Sequence, residues 1–212
     1  GSEMCIRDSA NSGSEANDTA MKMVWYYNAA LGRPEKRKII SRKKGYHGVT
    51  MAAASMTALP YAQDGFGLPL DFVKHTAAPD YYNEAKNGES VVEFADRCAA
   101  ELDEVILTEG PDTVAALFAE PVMGAGGVII PPTGYFQKIR SVLEKYDVLL
   151  VSDEVICGFG RTGNMWGAQT MDMRPDILTC APLSPSAWFG KTNFTFSAHF
   201  LCSGSSLNFN FP

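Results

Sequence analysis

VLLVSDEVICGFGRTG, residues Val148–Gly163, runs from an apolar segment into two acids and then into a glycine-rich loop. A short apolar run bounded by turn signals fits a strand buried on both faces, as in a parallel sheet. Ligands of open α/β sheets sit beyond the carboxyl ends of the strands, which is where Asp153 falls. A carboxylate between Val151 and Val155 is costly to desolvate unless something cationic answers it. The rest of the chain is read for groups that could supply that answer.

Outward from this stretch, the same pattern recurs. Upstream, Tyr135–Tyr146 has Phe136, Ile139, Val142 and Leu143 at helical spacing. Before it, VAALFAE (Val114–Glu120) reads as a second buried strand ending at Glu120-Pro121, followed by the flexible turn Gly124–Gly127. Val91–Glu109 reads as a helix with a stripe of Val92, Ala95, Ala99, Leu102 and Ile106, closed by Gly110. Residues 60–90, rich in Pro, Gly, Asp and Asn, read as a long surface excursion with little regular structure. Lys38–Ser41 reads as a short strand, and Lys43–Gly48 (KKGYHG) as the loop after it. Strands alternating with helices in this order predict an α/β fold with a mostly parallel sheet and flanking helices.

Near the start, Asn11–Asn17 (NSGSEAN) puts Ser12 and Glu15 in capping-box spacing. A helix is expected here with Ala16, Ala20, Val24 and Tyr27 inward, ending at Leu31-Gly32-Arg33-Pro34. Its first turn would offer Gly13, Ser14 and free backbone N–H groups to an anion, although a small Ser/Gly cap often serves only as a cap. Tyr46 and His47, an aromatic pair between two glycines, suit stacking on a flat ligand. Core packing by Tyr46 and capping by His47 is the alternative. Glu120 and Asp153 end two successive buried strands, and either could simply cap a turn. Together with the anion site and the loop aromatic, a shared pocket is the better account.

Composition narrows the class. With 46% hydrophobic and 20% charged residues in 212, the chain is a globular domain or one and a half. A formal net charge of −6 provides no basic field for phosphates, so no nucleic-acid partner is expected. No run of about 18–20 apolar residues suggests a membrane segment. The five cysteines, Cys5, Cys98, Cys157, Cys180 and Cys202, are odd in number and show no CxxC or CxxH pairing. They read as reduced thiols of a cytoplasmic protein, with no metal site.

The set NSGSEAN, GYHG, EPV and SDEVICGFGRTG resembles the class III aminotransferases, pyridoxal-phosphate enzymes of fold type I, and most of all the omega-amino acid and amine:pyruvate transaminases. The resemblance covers about residues 10–181 and implies an incomplete large domain of that fold. It implies pyridoxal 5'-phosphate as cofactor, and amino-group transfer from an amine or omega-amino acid to a 2-oxo acid such as pyruvate. It also implies a homodimer whose partner completes the pockets. Residue by residue, Gly13 and Ser14 correspond to the phosphate holders, Tyr46 to the ring-stacking aromatic with His47 its neighbour, and Val155 to the aliphatic residue on the other ring face. Asp153 corresponds to the carboxylate at the pyridinium nitrogen, and Glu120 to an acid near the phenolic side. Arg161, in the GRTG loop, is taken as structural.

One position departs from the family. The lysine that forms the Schiff base follows a segment like Arg174–Ala181, and here the next residue is Pro182. Proline has no amine to serve as nucleophile or base. Beyond it the chain becomes Ser-, Phe- and Asn-rich, which reads as a frame-shifted tail over 182–212. Residues 1–9 contain MCIRDS, similar to a translated sequencing-adapter scar, and read as a non-native leader. The fragment as written is therefore expected to be inactive. An aminomutase, a decarboxylase or a lysine-free, cofactor-binding pseudoenzyme are the alternatives on the same scaffold.

Overall fold

The structure, a computed structural model, describes residues 7–181 and 196–199. The strands are β1 (Arg7–Ala10), β2 (Lys38–Arg42), β3 (Val73–Thr76), β4 (Val114–Ala119), β5 (Leu149–Asp153), β6 (Ile177–Thr179) and β7 (Phe196–His199). The helices are α1 (Gly13–Ala30), α2 (Met51–Met56), α3 (Pro60–Gln63), α4 (Tyr81–Glu84), α5 (Val91–Glu109), α6 (Tyr135–Lys145) and α7 (Gly167–Thr170). The strands form one seven-stranded sheet in the order β1-β7-β6-β5-β4-β2-β3.

From β3 to β6 all neighbours are parallel, and β7 runs antiparallel to both β6 and β1. The expected parallel sheet with flanking helices is thus present. Its outer antiparallel pair takes in Arg7–Ser9 and Phe196–His199, from the two stretches that the sequence reading sets apart as leader and tail. Pro182 lies outside the described residues, as do Cys5 and Cys202.

Successive residues of a strand face opposite sides of a sheet. Accordingly, Ile40, Leu117, Ala119 and Leu150 pack with α5 and α6, while Ile39, Ala116, Phe118 and Val151 pack with α1 and α2. All six residues of β4 are buried, because both faces of this central strand are covered.

Two expectations are corrected. The 60–90 stretch is not an irregular excursion: it carries β3, the edge strand paired with β2, between α3 and α4. Val73-Lys74-His75-Thr76 has buried ends and two half-buried polar residues between them, so it shows neither an apolar run nor alternation. An edge strand tolerates that composition. On α5 the inward stripe includes Phe94 and Cys98, while Val92 is 58% exposed. Ser90 caps this helix in a reciprocal box with Glu93, and that cap fixes where the first turn begins.

Candidate functional site

Because β2, β4, β5 and β6 run parallel and adjacent, their carboxyl ends open on one side of the sheet. Arg42 leads into the KKGYHG loop, Ala119 into Glu120, and Asp153 and Thr179 end their own strands. The first turn of α1 and the 155–156 turn complete the enclosure. The resulting cleft, about 180 Å³, is lined by Gly13, Ser14, Tyr46, His47, Gly48, Glu120, Asp153, Val155 and Ile156. All seven residues selected from sequence (Gly13, Ser14, Tyr46, His47, Glu120, Asp153 and Val155) line this one cleft.

Asp153 is buried and held by three donors. Its Oδ2 accepts from Asn17 Nδ2 at 2.7 Å and faces His47 Nδ1 at 2.9 Å. Its Oδ1 accepts the Val155 backbone N–H at 3.1 Å. His47 therefore neither packs passively nor caps a helix: it braces the carboxylate. Its own backbone N–H donates to Thr57 Oγ1 at 2.8 Å, and the same hydroxyl donates to Gly48 O at 3.1 Å, which fixes the GYHG loop. His47 Nε2 is buried without a hydrogen-bond partner among the described residues.

Glu120 sits across the cleft. Its Oε1 accepts the Tyr46 N–H at 3.0 Å and its Oε2 the Gly124 N–H at 3.3 Å. Burial pushes its carboxyl above the usual range; nearby His47 and Arg42 oppose that shift, whereas Asp153 adds to it. Arg42, fully buried, donates to the Glu120 carbonyl oxygen and so anchors the backbone at the end of β4.

Asp153 and Glu154 are adjacent, yet they are divided between two tasks. Glu154 does not line the cleft and receives the N–H groups of Gly167 and Ala168 at 2.8 and 2.7 Å. It thereby returns the far end of the GFGRTG loop to the sheet. Burial raises its carboxyl too. A Cβ at Gly167 would lie 2.6 Å from Cys157 Cβ and 2.9 Å from Pro121 Cβ, so this return path admits only glycine. Arg161 is exposed and does not line the cleft.

The N-terminal end of α1 has the expected cap: Ser12 Oγ accepts the Glu15 N–H at 3.2 Å. The return bond differs by one residue, since Glu15 Oε2 accepts from Asn11 N at 2.7 Å. Ser14 Oγ accepts the Val49 N–H at 3.0 Å, which ties the turn to the loop. Gly48 has φ +133°, and a Cβ there would meet Ser14 Cα at 2.8 Å. At Gly13 a Cβ would come within 2.9 Å of Val155 Cγ2. The missing side chain at 13 is what leaves room between the helix start and Val155.

Sequence reasoning missed Asn17, Thr57, Glu154 and Thr179. Asn17 carried one legible signal: it is an amide among the small and apolar residues Ala16, Ala20, Met21 and Val24 on the buried face of α1. Cys98, Cys157 and Cys180 are buried thiols, with burial pushing Cys98 up to about 12 and the other two up to about 11. Such thiols are poor nucleophiles, so they are not candidates for the chemistry. Among the described residues no helix is long and apolar enough to cross a membrane, and no group of His, Cys, Asp and Glu could hold a metal ion.

Comparison with known proteins gives the same placement. The family model described as "Aminotransferase class-III" matches residues 7–185. Gamma aminobutyrate transaminase 1, mitochondrial, of Solanum lycopersicum is 54% identical over 178 residues, 84% of this chain and 35% of its own length. The diaminobutyrate–2-oxoglutarate transaminase of Halomonas elongata is 52% identical over 179 residues, 84% of this chain and 38% of its own length. Among solved structures, the omega transaminase of Pseudomonas jessenii in complex with PMP is 52% identical with a TM-score of 0.87, covering 92% of this chain and 42% of that one. This chain thus spans little more than a third of the curated relatives it matches.

Proposed function

This chain belongs to the class-III aminotransferase family, and on that footing we propose that it is the cofactor-binding part of a pyridoxal-phosphate transaminase. The whole enzyme moves an amino group from an amine or omega-amino acid to a 2-oxo acid. The observation that carries this reading is Asp153, a buried carboxylate braced by Asn17 and His47 in a cleft shared with the start of α1.

The residues present fit the cofactor. The donors at the first turn of α1 and the Ser14 hydroxyl suit a phosphate. Glycine at 13 leaves the space that a Cβ would fill against Val155. Tyr46 and Val155, both on the cleft wall, offer an aromatic and an aliphatic surface to a flat ring. When bound, pyridoxal phosphate supplies a protonated aromatic ring that withdraws electrons from the substrate carbon.

The chain's own part is positioning and charge. Asp153 Oδ1, with a single backbone donor, keeps acceptor capacity for a ring N–H, and its negative charge favours the protonated ring nitrogen. Glu120, whose carboxyl is raised by burial, holds a proton more readily than an exposed glutamate and can offer it to an oxygen on the ring. Both carboxyls are buried, which strengthens their electrostatic effect on a group in the cleft.

Pro182, at the position the family gives to its lysine, favours a second reading for the chain as written. In it the cleft binds cofactor without turnover, as a lysine-free pseudoenzyme would. One experiment addresses both. The 212-residue chain is incubated with pyridoxal phosphate, reduced with borohydride, digested and mapped by mass spectrometry. Unaltered chain should carry no adduct at position 182 and show no turnover, whereas Pro182→Lys should acquire a phosphopyridoxyl group at that position. Amino transfer by the unaltered chain would refute the assignment of Pro182, and a Pro182→Lys chain that takes up no cofactor would refute the cleft.

The resemblance further supports a homodimer that completes the pockets, and the buried thiols suit a reducing compartment such as the cytoplasm. No feature of the cleft calls for nucleic acid or a membrane surface.

A further inference from the structure

We propose that Asn17 is a positioning residue of this site, acting on the ring-nitrogen end of the ligand through Asp153. The inference rests on the pyridoxal-phosphate reading above and extends it to a side chain outside the cleft wall.

Asn17 is fully buried on α1, one turn beyond Ser14. Its Nδ2 donates to Asp153 Oδ2 at 2.7 Å and to the His47 carbonyl oxygen at 2.8 Å. Its Oδ1 accepts from Thr179 Oγ1 at 2.7 Å. Every hydrogen-bonding group of the amide pair therefore has work: two N–H donors meet two acceptors, and the oxygen meets a hydroxyl. A flipped amide would set its oxygen against two acceptor oxygens, so the orientation is fixed by the network.

Asn17 and His47 together fill Asp153 Oδ2. Oδ1, which among the described residues accepts only from the Val155 backbone N–H, is left as the oxygen with capacity for a cleft cation. One amide thus links the helix whose first turn suits the phosphate, the loop that bears Tyr46, the strand that bears Asp153, and β6 at Thr179. A ligand that spans phosphate and ring nitrogen needs these parts in fixed relation, and positioning of this kind depends on supporting hydrogen bonds.

The test compares two probes: pyridoxal phosphate and its carbocyclic analogue, in which a C–H replaces the ring nitrogen. Both dissociation constants are measured by fluorescence titration on the full 212-residue chain and on Asn17→Ala, with a melting curve for each. The unaltered chain should prefer pyridoxal phosphate. Asn17→Ala should lose about tenfold of that preference, a typical effect of removing a hydrogen bond to a charged group, with affinity for the analogue unchanged. Equal weakening of both probes would mark Asn17 as a packing residue only and overturn the inference. An unaltered chain that binds both probes equally, or neither, would overturn the ring-nitrogen reading and the inference with it. Should Asn17→Ala melt below the assay temperature, Thr179→Val removes the donor to the amide oxygen, together with a longer 3.5 Å contact to the Ser152 carbonyl. It should erode the same preference in the same direction, and an unchanged preference there would equally overturn the proposal.

Discussion

At the residue scale the site is a set of acids given unequal surroundings. Asp153 receives three donors, Glu120 receives two backbone N–H groups, and Glu154 is spent on the loop return. The dominant effect on Glu120 is desolvation, which favours its protonated form. A carboxyl whose folded value is raised contributes stability that is full below its unfolded value, near 4.5, and lost as pH rises through the folded value. Glu120→Gln keeps an acceptor for Tyr46 N–H but has nothing to ionise. The melting temperature of Glu120→Gln relative to the unaltered chain should therefore climb as pH rises above 4.5. A difference that stays flat with pH would show that Glu120 ionises at no cost in the fold. The residue scale was partly legible: the strand-end acids and the GYHG aromatics stand out because of where they fall in the chain. The pairing of Asn17 with Thr179 did not, since a buried amide on a helix and a hydroxyl on a strand acquire meaning only when they face each other.

Among the elements, periodicity located helices better than it oriented them. The bounds expected for α5 agree with the structure, and Ala95, Ala99, Leu102 and Ile106 are inside as expected, but Phe94 and Cys98 join them and Val92 is out. Helical spacing alone fits more than one neighbouring stripe, and the choice falls to what the sheet and α6 present. Two substitutions separate cap from stripe. Ser90→Ala should lower stability by about 1 kcal/mol, because it leaves the first turn of α5 without its acceptor. Val92→Ser, on the exposed face, should change it by less than about 0.5 kcal/mol in either direction. Urea denaturation of each chain decides: a costly Val92→Ser or a neutral Ser90→Ala would contradict this orientation. β3 escaped the sequence for a related reason. An edge strand needs apolar character only where it touches the core, and Val73 alone provides most of it.

Across the whole molecule, one sheet separates two cores that share β4. Phe118 faces α1 and α2, and Leu117 faces α5 and α6. Asp176 stitches the α6 side, since its Oδ2 accepts from both the Leu150 N–H and Arg140 Nη1 at 2.7 Å. Phe118 lies under the site as well as in the core: its ring packs edge-on to His47 with centroids 6.3 Å apart. Phe118→Ala should cost about 3–5 kcal/mol by calorimetry, as large-to-small core changes do. It should also loosen the brace on Asp153 and weaken cofactor binding more than Leu117→Ala on the opposite face. Equal effects on binding would show that core and site are not coupled through Phe118. The chain's sequence by itself determined the kind of fold and the acids, glycines and aromatics of the cleft. Short-range patterns suffice for these, since a strand's end, a helix's cap and a turn's glycine are set by adjacent residues. Only the tertiary structure decided which polar side chains hold Asp153 and that Glu154 secures the loop return. Those are contacts between residues as much as 162 positions apart, such as Thr179 with Asn17, and no local pattern records a meeting across the sheet.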